Sequence, residues 1–218
     1  MSRYSKDAFS LCLVTDRGLC RDRLLEDVII DALKGGVSMI QLREKSCSTR
    51  TFVRIAESVL ALTRAHGVPL IINDRVDVAL AVGAEGVHLG QSDLPAPMAR
   101  RLLGPDKVIG LSVENVEQAR AANDMDVDYL GVSPVFATPT KADAPSALGL
   151  SGLSAIRAVS RHVLVAIGGI HGDNAADVLR AGADGLAVVS AICSADDPTQ
   201  ATRTLATRVR ETNRGGEA

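Results

Sequence analysis

Gly36-Val37-Ser38-Met39-Ile40-Gln41-Leu42-Arg43-Glu44-Lys45 changes character halfway along. Its first half is a mostly apolar run of the kind found in buried strands. In its second half Gln41, Arg43 and Lys45 recur at every second position, so strand alternation puts them on one face and turns Leu42 and Glu44 the other way. A strand that is apolar and then ends in same-facing polar groups suits a parallel sheet whose ligand sits at the C-terminal strand ends. Two cations there favour an anion with several oxygens, such as a diphosphate. A solvated, charged strand end would look the same in isolation, so the rest of the chain must decide.

Working outward, the strand-then-helix pattern recurs. Strands are expected at Phe9 to Val14, Pro69 to Ile72, Val87 to Leu89, Lys107 to Leu111, Asp128 to Val132, Val163 to Ile167 and Leu186 to Val189. Apolar residues at helical spacing mark Arg21 to Lys34 and Thr49 to His66, the latter capped by Ser48. Further helices are expected at Val76 to Val82, Met98 to Leu103, Glu114 to Asn123, Ser151 to Ser160, Asp173 to Ala181 and Pro198 to Arg210. Lys34-Gly35-Gly36-Val37, Val82-Gly83-Ala84-Glu85-Gly86-Val87 and Ala181-Gly182-Ala183-Asp184-Gly185-Leu186 each end a helix with glycine and enter a strand. Eight such units predict an α/β fold, a (β/α)₈ TIM barrel forming a single domain over 1–218. Its ordered core would cover about 8–212, with a short lead and a frayed tail from Asn213. An open doubly wound sheet would need fewer strands and a Gly-x-Gly-x-x-Gly turn, which is missing here.

Composition agrees. In 218 residues the hydrophobic fraction is 46% but aromatics are only 2%, so the core must be mainly Ala, Val, Leu and Ile. With 24 Lys+Arg against 26 Asp+Glu, the charge of −2 argues against a nucleic-acid partner. No long apolar span points to a membrane and no leader is apparent, so a cytoplasmic location is expected. Cys12, Cys20, Cys47 and Cys193 form no Cys-x-x-Cys pair and read as small buried hydrophobes.

In a barrel the C-terminal strand ends converge on one mouth. Asn73 and Asp74 follow the third strand and Asp93 the fourth. Each aspartate alone fits a helix cap. Together, beside Arg43, Lys45 and Lys141, they suit a hard cation such as Mg²⁺ holding a diphosphate. Across the mouth, Gly168-Gly169-Ile170 and Val189-Ser190-Ala191 end the last two strands, where barrels often offer backbone N–H groups to a phosphate monoester. These glycines also suit close strand–helix packing, and the phosphate reading is preferred. The long connection from Ser133 to Leu148 carries Thr138-Pro139-Thr140-Lys141 and could add hydroxyls, or simply be a stiff surface loop. Two anionic subsites suggest a transferase that joins a diphosphate-activated group to a phosphorylated acceptor. His88 and His171 are expected to be structural.

Gln41-Leu42-Arg43-Glu44-Lys45, Asn73-Asp74-Arg75, His88-Leu89-Gly90-Gln91-Ser92-Asp93, Phe136-Ala137-Thr138-Pro139-Thr140-Lys141 and Gly168-Gly169-Ile170 resemble, in order, the motif series of the thiamine phosphate synthase family, from about Leu11 to Arg210. The resemblance implies coupling of hydroxymethylpyrimidine diphosphate to thiazole phosphate, with release of pyrophosphate. It implies that Gln41, Leu42, Arg43, Glu44, Lys45, Asn73, Ser112 and Lys141 hold the pyrimidine diphosphate, with Arg43, Lys45, Ser112 and Lys141 taking part in catalysis. Asp74 and Asp93 would bind Mg²⁺, and Thr138, Pro139, Thr140, Gly169, Val189 and Ser190 the thiazole phosphate. The partners would be small molecules, with a homo-oligomer possible. A thiazole tautomerase, which needs an acid/base residue instead of a diphosphate grip, and a catalytically idle phosphate-ligand sensor are the rivals. Proline-rich sequence after Asp93 (Pro95, Pro97) blurs the local geometry there.

Overall fold

The structure, a computed structural model, describes residues 5–138 and 146–215. Its strands are β1 (Leu11–Val14), β2 (Met39–Leu42), β3 (Leu70–Asn73), β4 (Gly86–Leu89), β5 (Val108–Val113), β6 (Tyr129–Val132), β7 (Val163–Ile167) and β8 (Gly185–Val188). They pair in parallel, each with its sequence neighbour, and β1 also pairs with β8 to close the barrel. The helices are α1 (Leu25–Gly35), α2 (Thr49–Ala65), α3 (Val76–Val82), α4 (Ala96–Leu103), α5 (Val116–Ala122), α6 (Gly149–Val159), α7 (Ala175–Arg180), α8 (Ser190–Cys193) and α9 (Pro198–Gly215). The expected (β/α)₈ barrel is therefore the fold. Among the described residues no helix is long and apolar enough to cross a membrane.

Alternation divides the apolar residues into two cores. Leu13, Ile40, Leu42, Leu70 and Ile72 face outward and pack with Val28, Ile29, Phe52 and Val59 of the helices. Cys12, Val14, Met39, Ile71, Val108, Tyr129, Val165 and Ala187 face inward and fill the barrel floor. Burying each of the larger aliphatic side chains stabilises the fold by about 1.5–3 kcal/mol. Gly36 and Gly83 end α1 and α3 at φ 95° and 70°, as the repeated glycine turns require.

The sequence-based boundaries shift where local chemistry intervenes. Lys6–Phe9 is a 3₁₀ turn, not the start of β1, and Phe9 plugs the floor against Tyr129 with ring centroids 5.1 Å apart. Arg21, expected to open a helix, sits at φ 57°, outside the helical region, so α1 begins at Leu25. Ser48 does cap α2, accepting from Thr51 N–H. The four-residue α8 carries too little periodicity to be seen in sequence.

Candidate active site

Along β2 to β5 the inward-facing row changes from apolar or glycine at the floor to polar at the mouth, while β1, β7 and β8 stay apolar. The result is a cavity of about 530 Å³ lined by Gln41, Arg43, Lys45, Asn73, Asp74, His88, Asp93, Ser112, Thr138, Gly168, Gly169, Val189 and Ser190, among others. The structure thus brings most of the sequence-predicted site residues to one place. Leu42 and Glu44 do not line it. Leu42 is buried among the helices, and Glu44 is ion-paired with Arg17 at 2.7 Å, so only their backbone could reach a ligand. Ser112, expected at a strand end, lies within β5. Pro139, Thr140 and Lys141 fall outside the described residues.

The β2–β4 side is built from paired charges. Thr15 fixes the end of β2, its N–H donating to Gln41 O and its hydroxyl accepting from Arg43 N–H. Arg43 then lies 3.7 Å from Asp16, and Lys45 donates to Asp74 at 2.5 Å. Asp74 is no helix cap: Arg75 holds that position, and Asp74 itself sits at φ 63°. That left-handed conformation is costly for a residue with a Cβ and is held here by its N–H bond to His88 O at 2.8 Å. Nor does Asp93 cap α4, where Pro95 takes the cap position. Its carboxylate accepts instead from Gly90 N–H at 2.7 Å.

Burial pushes the Asp93 carboxyl above its ordinary range. The Gly90 bond opposes that shift, and the adjoining Asp74 carboxylate reinforces it. Two neighbouring carboxylates, one disfavoured as an anion, form an oxygen donor set that a hard cation would relieve. Among the described residues no group of three or more His, Cys, Asp or Glu gathers around one point. Two carboxylates suffice for Mg²⁺, which keeps waters and takes phosphate oxygens, so the residues fit it.

The β7–β8 side has a different construction. Gly168 and Gly169 turn the chain at φ 107° and 63°, and a Cβ on Gly169 would come within 2.8 Å of Phe136 Cβ. The connection after β6 is tied down here. Val135 and Phe136 N–H donate to Ile167 and Gly168 carbonyls, and Asn174 donates to Gly169 O. Val189-Ser190 opens α8, whose first N–H groups precede any intrahelical acceptor. This wall offers backbone donors and little charge.

His171 lies at the head of α7 beside Asp173. His88 belongs to the cavity wall, 8% exposed, with Nδ1 at 2.9 Å from Tyr129 Oη and Nε2 at 2.9 Å from Ser112 Oγ. Tyr129 and Gln91, whose amide donates to Ser112 O at 2.6 Å, escaped the sequence reading. One usable signal was a lone tyrosine in an otherwise apolar strand.

Comparison with known proteins agrees with this geometry. The thiamine monophosphate synthase family model matches residues 11–192. A thiamine-phosphate synthase of Albidiferax ferrireducens is 56% identical over 191 residues, covering 88% of this chain and 87% of the relative. One from Syntrophomonas wolfei is 54% identical over 189 residues, covering 87% and 90% respectively. A solved thiamine phosphate pyrophosphorylase from Pyrococcus furiosus has a TM-score of 0.87 at 40% identity, over 95% of this chain and 98% of its own. The tautomerase and sensor alternatives gain no support from these relatives. The chain belongs to the thiamine monophosphate synthase family and is a transferase with thiamine-phosphate synthase activity.

Proposed function

We propose that this cavity joins hydroxymethylpyrimidine diphosphate, held on the β2–β5 side, to thiazole phosphate, held on the β7–β8 side, with Mg²⁺ at Asp74 and Asp93. The observation that carries this assignment is the split wall, with paired charges on one side and shaped backbone on the other. Gln41, Asn73 and Ser112 orient the pyrimidine, while Arg43, Lys45 and Lys141 take the diphosphate oxygens. Gly169, Val189 and Ser190, with Thr138, Pro139 and Thr140, hold the thiazole phosphate.

When bound, Mg²⁺ supplies charge neutralisation to the leaving diphosphate. Departure of pyrophosphate leaves a pyrimidine-methyl cation stabilised by the ring amino group, so the step is dissociative. Arg43, Lys45 and Lys141 stabilise the charge that builds on the leaving group, and the opposite wall holds the thiazole nitrogen in line. No protein nucleophile is required. A cytosolic setting, where thiols stay reduced, belongs to the same proposal.

The test measures pyrophosphate and thiamine phosphate with both substrates, with and without Mg²⁺. Product that requires all three components is expected. Equal product in a chelator would remove the metal assignment, and pyrophosphate release independent of thiazole phosphate would remove the coupling.

A further inference from the structure

Three neighbouring strands place a glycine between two ring side chains. In register, Gly110 of β5 stands opposite His88 of β4 on one side and Tyr129 of β6 on the other. A Cβ on Gly110 would come within 2.5 Å of His88 Nδ1 and 2.2 Å of Tyr129 Cζ. Absence of that Cβ is what lets the two rings meet across β5, with centroids 5.4 Å apart. Gly131, next on β6 and in register with Ser112, likewise leaves room for the His88 ring, which a Cβ there would approach to 2.8 Å.

The result is a hydrogen-bonded relay from Tyr129 through His88 to Ser112. His88 joins the two hydroxyls through its two ring nitrogens, with Tyr129 Oη at 2.9 Å from Nδ1 and Ser112 Oγ at 2.9 Å from Nε2, and Ser112 lines the cavity.

We propose that Tyr129 and His88 are positioning residues that hold the Ser112 hydroxyl in place against the heterocycle of the pyrimidine substrate. The inference rests on the assignment of Ser112 to the pyrimidine side.

A double-mutant cycle on the full chain with Mg²⁺ and both substrates tests this, with melting temperature recorded for every variant. Tyr129→Phe removes one oxygen and keeps the floor packed. It is expected to raise KM for the pyrimidine diphosphate about tenfold while leaving KM for thiazole phosphate within about twofold. Ser112→Ala should do at least as much, and Tyr129→Phe should add nothing in the Ser112→Ala background. Additive effects, or a Tyr129→Phe variant that shifts both KM values alike, would overturn the relay and leave Ser112 as an independent contact. An unchanged pyrimidine KM in Ser112→Ala would instead remove the underlying assignment of Ser112, and the relay with it.

Discussion

On the proposed assignment, the two walls of the mouth recognise phosphorylated ligands by different means. On the β2–β4 side, long side chains carry full charges and neutralise one another, Lys45 with Asp74 and Arg43 with Asp16. On the β7–β8 side the recognising groups are peptide units, shaped by two glycines and anchored by Asn174, Val135 and Phe136. Charged side chains can exchange partners when ligand and metal arrive. A glycine turn cannot rearrange in that way, and its specificity is set when the chain folds. The wall assigned to the departing group is then adaptable, and the wall assigned to the incoming nucleophile is fixed.

The sharpest break in this comparison comes from the carboxylates. Asp74→Asn or Asp93→Asn should lower turnover by at least ~10²-fold and weaken its response to added Mg²⁺. Stability should move the other way for Asp93. Its folded pKa lies above the unfolded value, so the native state holds its proton more tightly and this group lowers stability as pH rises through that interval. Asp93→Asn should therefore melt no lower than the parent at neutral pH without metal. Mg²⁺ should raise the melting temperature of the parent alone. A variant that is both less stable and fully active would show that Asp93 serves the fold and not the metal.

A smaller effect should follow on the fixed wall. Gly169→Ala places a Cβ at φ 63° and against Phe136, and should cost about 1–3 kcal/mol of stability. It should raise KM for thiazole phosphate ~10-fold and leave the pyrimidine diphosphate KM near its parent value. Steady-state kinetics against each substrate would show whether the walls are independent. A pyrimidine effect as large as the thiazole one would erase the division. Smallest of all is Asp16→Ala, which frees Arg43 from a 3.7 Å pair and should change either KM by no more than about twofold.

The barrel and the charged wall were readable from sequence because both rest on local periodicity. Alternation through Met39-Ile40-Gln41-Leu42 fixed which side chains enter the barrel, and the same rule turned Leu42 and Glu44 away from the cavity. Each strand–turn–helix unit repeats that local signal. Asp74 was harder. An aspartate before a helix reads as a cap, and only the fold shows its left-handed backbone, braced by the carbonyl of His88 on the next strand. The relay was invisible for the same reason. His88 and Tyr129 are 41 positions apart, and what joins them is the glycine between their strands, which no periodic pattern marks.

The paired charges of the mouth also have a kinetic consequence. Among the described residues that line the cavity, Asp74, Asp93 and Glu114 face two cations, Arg43 and Lys45. From beyond a Debye length such an entrance presents little positive field to draw in a bare polyphosphate. With Lys141, assigned to the same diphosphate, the opposed charges balance, and such an entrance suits a diphosphate already escorted by a divalent cation. Association of that escorted diphosphate should then depend only weakly on ionic strength.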